Sequence, residues 1–318
     1  MRLATIFWRV GLVALVSAAA LADPAEPKKS PSEPLKYTLR YQFRPGETIR
    51  WKVVHRACAE TTVSGTSQTA ETVSTSTKVW KVQKVDPTGV ATFEQSVEDV
   101  DMWQKLSGRA EVRYNSRKDK VPPVGFENVA KSVGVALSQT TIDPQGQILA
   151  RRHLVPKPQS EMDGLITIPL PEKPVAVGET WVYPYEIEVP LEGGRIKRIK
   201  SRQSFTLEEV HGQIATVRVA TQILTPIDDP AVEAKLVQRE STGTVRFDMQ
   251  AGRVIAQQMD TDKRVVGFRG PASSLHYKTR FTEEILSGLG EPVRSKEQPH
   301  EDRAQARRPA SEQAKSPK

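Results

Sequence analysis

The side chains able to do chemistry are few and scattered. Five histidines occur, His55, His153, His211, His276 and His300, and none is spaced i, i+4 from another with a glutamate between, so the helical zinc-peptidase motif does not occur. His55 and Cys58 lie three apart, which on an extended strand puts them on opposite faces and speaks against a Cys-His dyad or a shared metal. Ser64-Gly65-Thr66-Ser67 lacks the flanking glycine of a G-x-S-x-G elbow and reads as an exposed turn between Ser/Thr-rich strands. Neither G-x-x-x-x-G-K-[ST] nor G-x-G-x-x-G occurs, and the parallel βαβ setting that both require is missing. No catalytic residue and no cofactor are assigned from these residues.

Two charged stretches remain. Glu94, Glu98, Asp99 and Asp101 offer oxygens of the kind a calcium ion takes. On a regular strand Asp99 and Asp101 share one face and Glu94 and Glu98 the other, and the glycine-containing ligand loop is absent, so solvated charge is expected and no metal site is assigned. The run Arg195, Lys197, Arg198, Lys200 and Arg202 places five cations within eight residues, just after Gly193-Gly194. Extended, it carries Arg195 and Lys197 on one face and Arg198, Lys200 and Arg202 on the other, so it is expected at a sheet edge or on a protruding arm. It has two readings: charge that keeps an edge strand from pairing with other chains, or a docking surface for an anionic component of the cell envelope. The interleaved aromatics that stack on bases are missing, so nucleic acid is not an expected partner.

The elements that carry these residues read as strands. Val245, Phe247 and Met249 alternate with Arg246 and Asp248, and Val217, Val219, Thr221 and Ile223 alternate with polar or small residues; a period of two describes strands with one wet and one dry face. Asp86-Pro87-Thr88-Gly89, Asp143-Pro144-Gln145-Gly146, His211-Gly212 and Gln250-Ala251-Gly252 punctuate the runs as hairpin turns. Phe126, Val129, Val133 and Leu137 fall on one face of a short helix, expected to cap an open end of the sheet. The aromatics Tyr37, Tyr41, Trp51, Trp80, Trp103, Trp181, Tyr183, Tyr185 and Tyr277 sit mostly in strand-like runs, where packing accounts for them; an apolar cavity between curved sheets is a second reading of the same residues.

An internal repeat organises the chain. Phe43-Arg44-Pro45-Gly46-Glu47-Thr48-Ile49-Arg50-Trp51 returns as a near copy, Pro174-Val175-Ala176-Val177-Gly178-Glu179-Thr180-Trp181-Val182-Tyr183. After each, strands and turns follow in the same order through Gly89 and Gly146 in the first copy and through Gly212 and Gly252 in the second. The expected fold is all-β and mainly antiparallel, two related halves at 35–170 and 171–290 forming a curved sheet, a sandwich or a half-barrel with one short helix.

The ends differ from this body. Met1 to Arg9 carries two positive charges before the apolar run Val10 to Leu21 and an Ala20-Leu21-Ala22 cleavage pattern, the form of a secretory signal peptide at 1–22, with an uncleaved anchor as the alternative. No later stretch approaches the ~20 apolar residues of a spanning helix. Residues 23–34 and 291–318 are rich in proline and charge and read as disordered linker and tail. The formal charge of +8 falls to +6 once Arg2 and Arg9 leave with residues 1–22, a mildly basic balance suited to anionic surfaces. Cys58, the single cysteine, has no internal disulfide partner and lies too far from the cleavage point to take a lipid anchor there; burial is expected, with an intermolecular bond as the alternative.

The signal peptide, the polar linker, the Pro-Gly-Glu strand start and the Asp-Pro-x-Gly-x-Ile turn together resemble an uncharacterised family of exported bacterial β-rich proteins, over most of Leu35 to Leu289. The second half keeps Gly178-Glu179-Thr180 without the preceding proline. The resemblance implies no activity. In architecture the chain is also similar to periplasmic lipoprotein-carrier half-barrels. Together these readings describe an exported, periplasmic or extracellular, non-catalytic binding or structural protein, its partner an anionic envelope component or an apolar ligand. A hydrolase whose acids meet only in space, and an outer-membrane barrel, are the alternatives; mean hydropathy of -0.46 and 6% aromatics disfavour the barrel.

Overall fold

The computed structural model describes residues 33–156 and 165–287. The expected signal peptide at 1–22, all but the last two residues of the linker, and the tail at 291–318 lie outside the described residues.

Two residues of β1 (Lys36–Tyr37) pair with β8 (Val175–Ala176) as a small ribbon. Every other strand joins one antiparallel sheet of twelve. The first half contributes β2 (Thr48–Val63), β3 (Thr66–Val85), β4 (Ala91–Leu106), β5 (Val112–Asn115), β6 (Ala136–Ile142) and β7 (Ile148–His153). The second contributes β9 (Thr180–Pro190), β10 (Ile196–His211), β11 (Ile214–Ile223), β12 (Thr242–Asp248), β13 (Arg253–Val266) and β14 (Ser273–Ser287). The order across the sheet is β7-β6-β4-β3-β2-β14-β13-β12-β11-β10-β9, with β5 beside β4. The strands before and after β8 therefore form one continuous sheet rather than two sandwiches, and β14, paired to β13 and to β2, is the seam between them.

The four turns expected from sequence join consecutive strands. At the first, Asp86 Oδ1 accepts hydrogen bonds from the Thr88 and Val90 amides at 2.8 and 3.0 Å, the aspartate-headed turn that this residue type favours. The two Gly-Glu-Thr corners carry the same hydrogen bonds. Gly46 N donates to Val82 O (2.9 Å) and Val82 N to Glu47 O (2.8 Å); Gly178 N donates to Leu207 O (2.7 Å) and Leu207 N to Glu179 O (3.1 Å). Glu47 Oε2 accepts from Arg44 N and Glu179 Oε2 from Ala176 N. Each corner glutamate thus caps the turn that precedes it.

The sheet curls. One hydrophobic cluster unites Trp51 and Trp80 from β2 and β3 and Phe93 from β4 with Phe205 of β10, Val217 of β11 and Phe247 of β12; strands so far apart in sheet order share a core only when the sheet bends over on itself. Burying each such aromatic contributes ~1.5–3 kcal/mol. The strap from Leu39 to Phe43 fills the fold of the bend, with the Tyr41 ring packed edge-on against Phe247 at 5.4 Å. Tyr41 N donates to Pro144 O at 2.8 Å and Gln42 N to Gly252 O at 2.9 Å, so consecutive strap residues tie down one turn of each half. These approaches need glycine at both turns: a Cβ on Gly146 would lie 2.6 Å from the Tyr41 ring, and one on Gly252 would lie 2.5 Å from Gln42 Cβ.

The helix expected from Phe126 to Leu137 is shorter, α1 (Glu127–Ser132). Gly134 takes a positive φ of 78°, and Leu137 lies in β6. Phe126 and Val129 pack with Tyr114 against β4, the covering role expected. A second helix, α2 (Pro230–Leu236), holds the matching place between β11 and β12 and buries Val232 and Leu236 against Ile187 and Ile199. At its start Asp229 Oδ1 caps Ala231 N at 2.8 Å, and Pro230 suits the first helical turn. Seven residues are too few for a periodicity to stand out.

Candidate functional site

Beyond the packed bend the long strands run on as a polar sheet, and their face turned away from Trp51 forms an open trough of about 810 Å³. Its floor is a register row across six strands, Trp103, Val73, Arg56, Arg280, Asp260 and Thr242, centred on the seam. A parallel row holds Glu71, Cys58, Lys278 and Asp262. Two charge pairs lie on this face: Arg280 Nε meets Asp260 at 2.7 Å and His276 Nε2 meets Asp262 at 2.7 Å. The Arg280 hydrogen bond holds the Asp260 carboxyl below the usual carboxylate range, and the His276 hydrogen bond does the same for Asp262. Arg56, cross-strand from Arg280, makes no ion pair among the described residues.

Cys58, expected to be buried, is half-buried at this floor. Burial, with Glu60 and Glu71 nearby, pushes its thiol up, against the pull of Lys278, which leaves it a poor nucleophile. His55 points to the other face, as the spacing requires, and burial lowers its pKa. The thiol is not fully enclosed because the sheet is two-sided here: past the bend no described residue packs over this face of β2 to bury it.

A second opening, about 470 Å³, lies between the two sheet edges, with Ile148 and Arg151 of β7 on one side and Tyr183, Tyr185 and Ile187 of β9 on the other. The sheet nearly meets itself here without closing. Tyr183 and Tyr185 stack at 6.4 Å. Tyr185 has its phenol pushed up by burial, partly offset by Arg239 and by a hydrogen bond to Thr221. Arg239 lines the cleft and makes no hydrogen bond or ion pair among the described residues.

The position matching this cleft in the first half is closed. Counting from the corners, Trp51 pairs Lys78 across β2 and β3 as Tyr183 pairs Gln203 across β9 and β10. At Trp51 the neighbouring β14 supplies Glu283, 2.7 Å from Lys78 Nζ, and both side chains are largely buried (4% and 14% exposed). Lys78 also lies 4.6 and 5.0 Å from the ring centres of Trp51 and Trp80, a cation–π arrangement. What space remains there is about 10 Å³, no more than one water fills. Neither Lys78 nor Glu283 was singled out from sequence. The signal was available: Leu275, Tyr277, Phe281 and Ile285 alternate along β14, and Glu283 falls in their apolar phase, where a carboxylate needs a buried cation.

The basic run lies in β10, which is paired to β9 from Ile196 to Thr206 and to β11 from Ser201 onward. Its first part, Ile196 to Lys200, therefore has β9 on one side only and runs past the end of β11, closer to the expected arm than to the outer edge strand, which is β9. Ile199 and Ser201, both buried, hold the inward phase with Lys197, while Arg198, Lys200 and Arg202 face outward; α2 supplies the core under this strand. Arg198 meets Glu188 at 3.2 Å and Arg202 Nε donates to Gln222 at 2.7 Å. The acidic patch also differs from expectation. A bulge between Thr77 and Lys78 on β3 and Val97 and Asp99 on β4 leaves Glu98 as the extra residue, which turns Glu94, Asp99 and Asp101 to one face. Arginines then neutralise three of the four: Arg50–Glu98 at 2.8 Å, Arg117–Asp99 at 2.6 Å and Arg113–Asp101 at 2.8 Å. Among the described residues no helix is long and apolar enough to cross a membrane.

No family model matches this chain, and no curated protein matches it. Three solved structures are similar to it at low values. Lipovitellin, described for its lipid–protein interactions, is 12% identical over 80% of this chain and 26% of its own, with a TM-score of 0.43; this chain spans about a quarter of that protein's length. DynF of the dynemicin biosynthesis pathway of Micromonospora chersina is 8% identical over 83% of this chain and 92% of its own, with a TM-score of 0.21. A DUF1329 family protein from Desulfovibrio piger is 10% identical over 76% and 87%, with a TM-score of 0.15. At these values none of the three assigns a family or an activity.

Proposed function

We propose that this chain is an exported, non-catalytic binding or structural protein of the cell envelope, built from two copies of one β unit, that holds a polar partner along the seam trough. The observation that carries the reading is the pairing of charge there. Asp260 and Asp262 are held ionised by Arg280 and His276, which makes them steady hydrogen-bond acceptors and poor proton donors at neutral pH. A trough of about 810 Å³ falls in the size range that holds ligands, and Trp103 gives one end an aromatic surface. The matched hydrogen bonds at Gly46 and Gly178 support the duplication, with halves at 35–170 and 171–290. Met1 to Ala22 supports export. Arg198, Lys200 and Arg202, with Arg195 and Lys197 beside them, add a surface for an anionic envelope component.

The test expresses the full chain in a bacterial host and releases it by osmotic shock. The expected mature N-terminus is Asp23, read by mass spectrometry, and a polar molecule co-purifies with the native protein and is lost in Arg56→Ala/Lys278→Ala. Turnover of an envelope polymer or lipid that a single substitution abolishes would sink the proposal.

A further inference from the structure

The cleft between the sheet edges is a different opening from the trough, and its chemistry differs as well. Ile148, Ile187 and Leu165 supply apolar walls, and the stacked Tyr183 and Tyr185 supply a flat aromatic floor. Arg239 brings a guanidinium to the same space and spends it on no carboxylate among the described residues. Glu186 also lines the cleft, but it alternates with Tyr185 along β9, so it points to the other face and is exposed. Arg239 is half-buried in the same opening as the two tyrosines and close enough to Tyr185 to lower its phenol pKa; a half-buried cation without a counter-ion among the described residues favours an anion.

The first half shows what such a place takes when the chain itself fills it. At the matching position, Trp51 and Trp80 form the aromatic surface, Lys78 is the cation, and the Glu283 carboxylate completes the set from β14. In the second half β9 has no outer neighbour among the described residues, so none of their strands delivers the carboxylate. From this correspondence we propose that the edge cleft binds a soluble anionic amphiphile, a single apolar chain carrying one carboxylate or a like anionic group, with the anion at Arg239 and the apolar body against Tyr183, Tyr185 and Ile187. The anion stands where the first half places Glu283. The cleft volume, about 470 Å³, suits one such molecule and excludes a folded partner.

The mature protein is titrated by calorimetry with dodecanoate below its micelle concentration, with dodecyltrimethylammonium, and with dodecanol as neutral control. Saturable one-to-one binding of dodecanoate is expected, at least tenfold tighter than either control. Arg239→Gln is expected to weaken it about tenfold, the scale of one charge-assisted hydrogen bond, while Arg239→Lys retains most of it. Ser241→Glu, which adds a carboxylate at the rim, is expected to weaken dodecanoate similarly and keeps the test open should Arg239→Gln fail to fold. Arg218→Gln, on the other face of the sheet, leaves binding unchanged. Equal binding of all three amphiphiles, dodecanoate binding indifferent to both cleft variants, or no saturable binding overturns the proposal. Flotation with phosphatidylglycerol vesicles separates the sources of the anion: co-flotation lost in Arg239→Gln, without binding of free dodecanoate, assigns the site to a bilayer surface and overturns the soluble ligand. None of these outcomes bears on the trough.

Discussion

Trp51–Lys78 and Tyr183–Gln203 occupy the same place in two halves that start from the same corner, yet one is sealed and the other open. The local geometry does not distinguish them, since Gly46 and Gly178 make equivalent hydrogen bonds and α1 and α2 fall at equivalent points. The neighbour does. β2 lies inside the sheet with β14 against it, and β14 brings Glu283 to Lys78; β9 is an edge, and its aromatic face borders a cleft. The position with a third strand beside it is a solid core, and the matching position at the sheet edge borders an opening. Length adds a second difference. β2, β3 and β4 have 16, 20 and 16 residues against 11, 16 and 10 for β9, β10 and β11, and the excess carries the trough.

The largest effect should come from breaking the sealed position. Glu283→Gln leaves the Lys78 ammonium buried without its counter-ion and should cost ~3 kcal/mol or more in urea unfolding, whereas Gln203→Met at the matching position should change stability by less than ~1 kcal/mol. Equal costs would show that β14 does not make the difference. Next, Gly252→Ala drives a Cβ into the Gln42 backbone at a positive φ of 62° and should cost ~3 kcal/mol or more. Gly178→Ala, with φ +90° but open space, should cost only the ~1–2 kcal/mol of the left-handed backbone.

The corner glutamates sharpen the comparison further. Glu47 both caps its turn and meets Arg253 at 2.6 Å, where the arginine is 8% exposed; Glu179 caps only. Glu47→Gln should therefore destabilise by ~2–3 kcal/mol and Glu179→Gln by under ~1 kcal/mol, measured in the same denaturant series. In the trough, Arg280→Ala should shift stability by less than ~1 kcal/mol, because exposed pairs contribute little, and so separates loss of ligand from loss of fold.

A pH titration gives the smallest effect. The folded pKa of His55 lies below its ordinary 6.5, so the unfolded chain takes up the proton first. This part of the stability is full above pH 6.5 and is lost as pH falls below it. Asp260 and Asp262, also lowered, lose theirs only at more acidic pH, as each carboxylate protonates. Unfolding of His55→Gln should be flatter than wild type just below pH 6.5 and parallel to it in the acid range; an unchanged slope below 6.5 would remove His55 from the account.

Strand identity, hairpin turns and the repeated corner were legible along the chain because they depend on residues close in sequence: an aspartate that caps its own turn, a glycine that admits a positive φ, and side chains that alternate with the pleat. The short α2 and the bulge at Glu98 were not, since one is below the length at which periodicity shows and the other shifts phase without a marker residue. The core beneath the basic run was hidden for a related reason: its charges are plain in sequence, while Ile199 becomes an inward position only once α2 lies beneath β10.

By itself, the sequence determined the all-β class, the order of hairpins and the pair of matching corners, all consequences of local backbone preference and period-two patterning. Tertiary structure alone decided that the two halves share one sheet with β14 at the seam, that Glu283 meets Lys78, and that the Tyr183–Tyr185 face stays open beside Arg239. Those outcomes turn on which strand lies next to which, and a pairing between residues some 200 positions apart leaves no trace in the spacing of either partner.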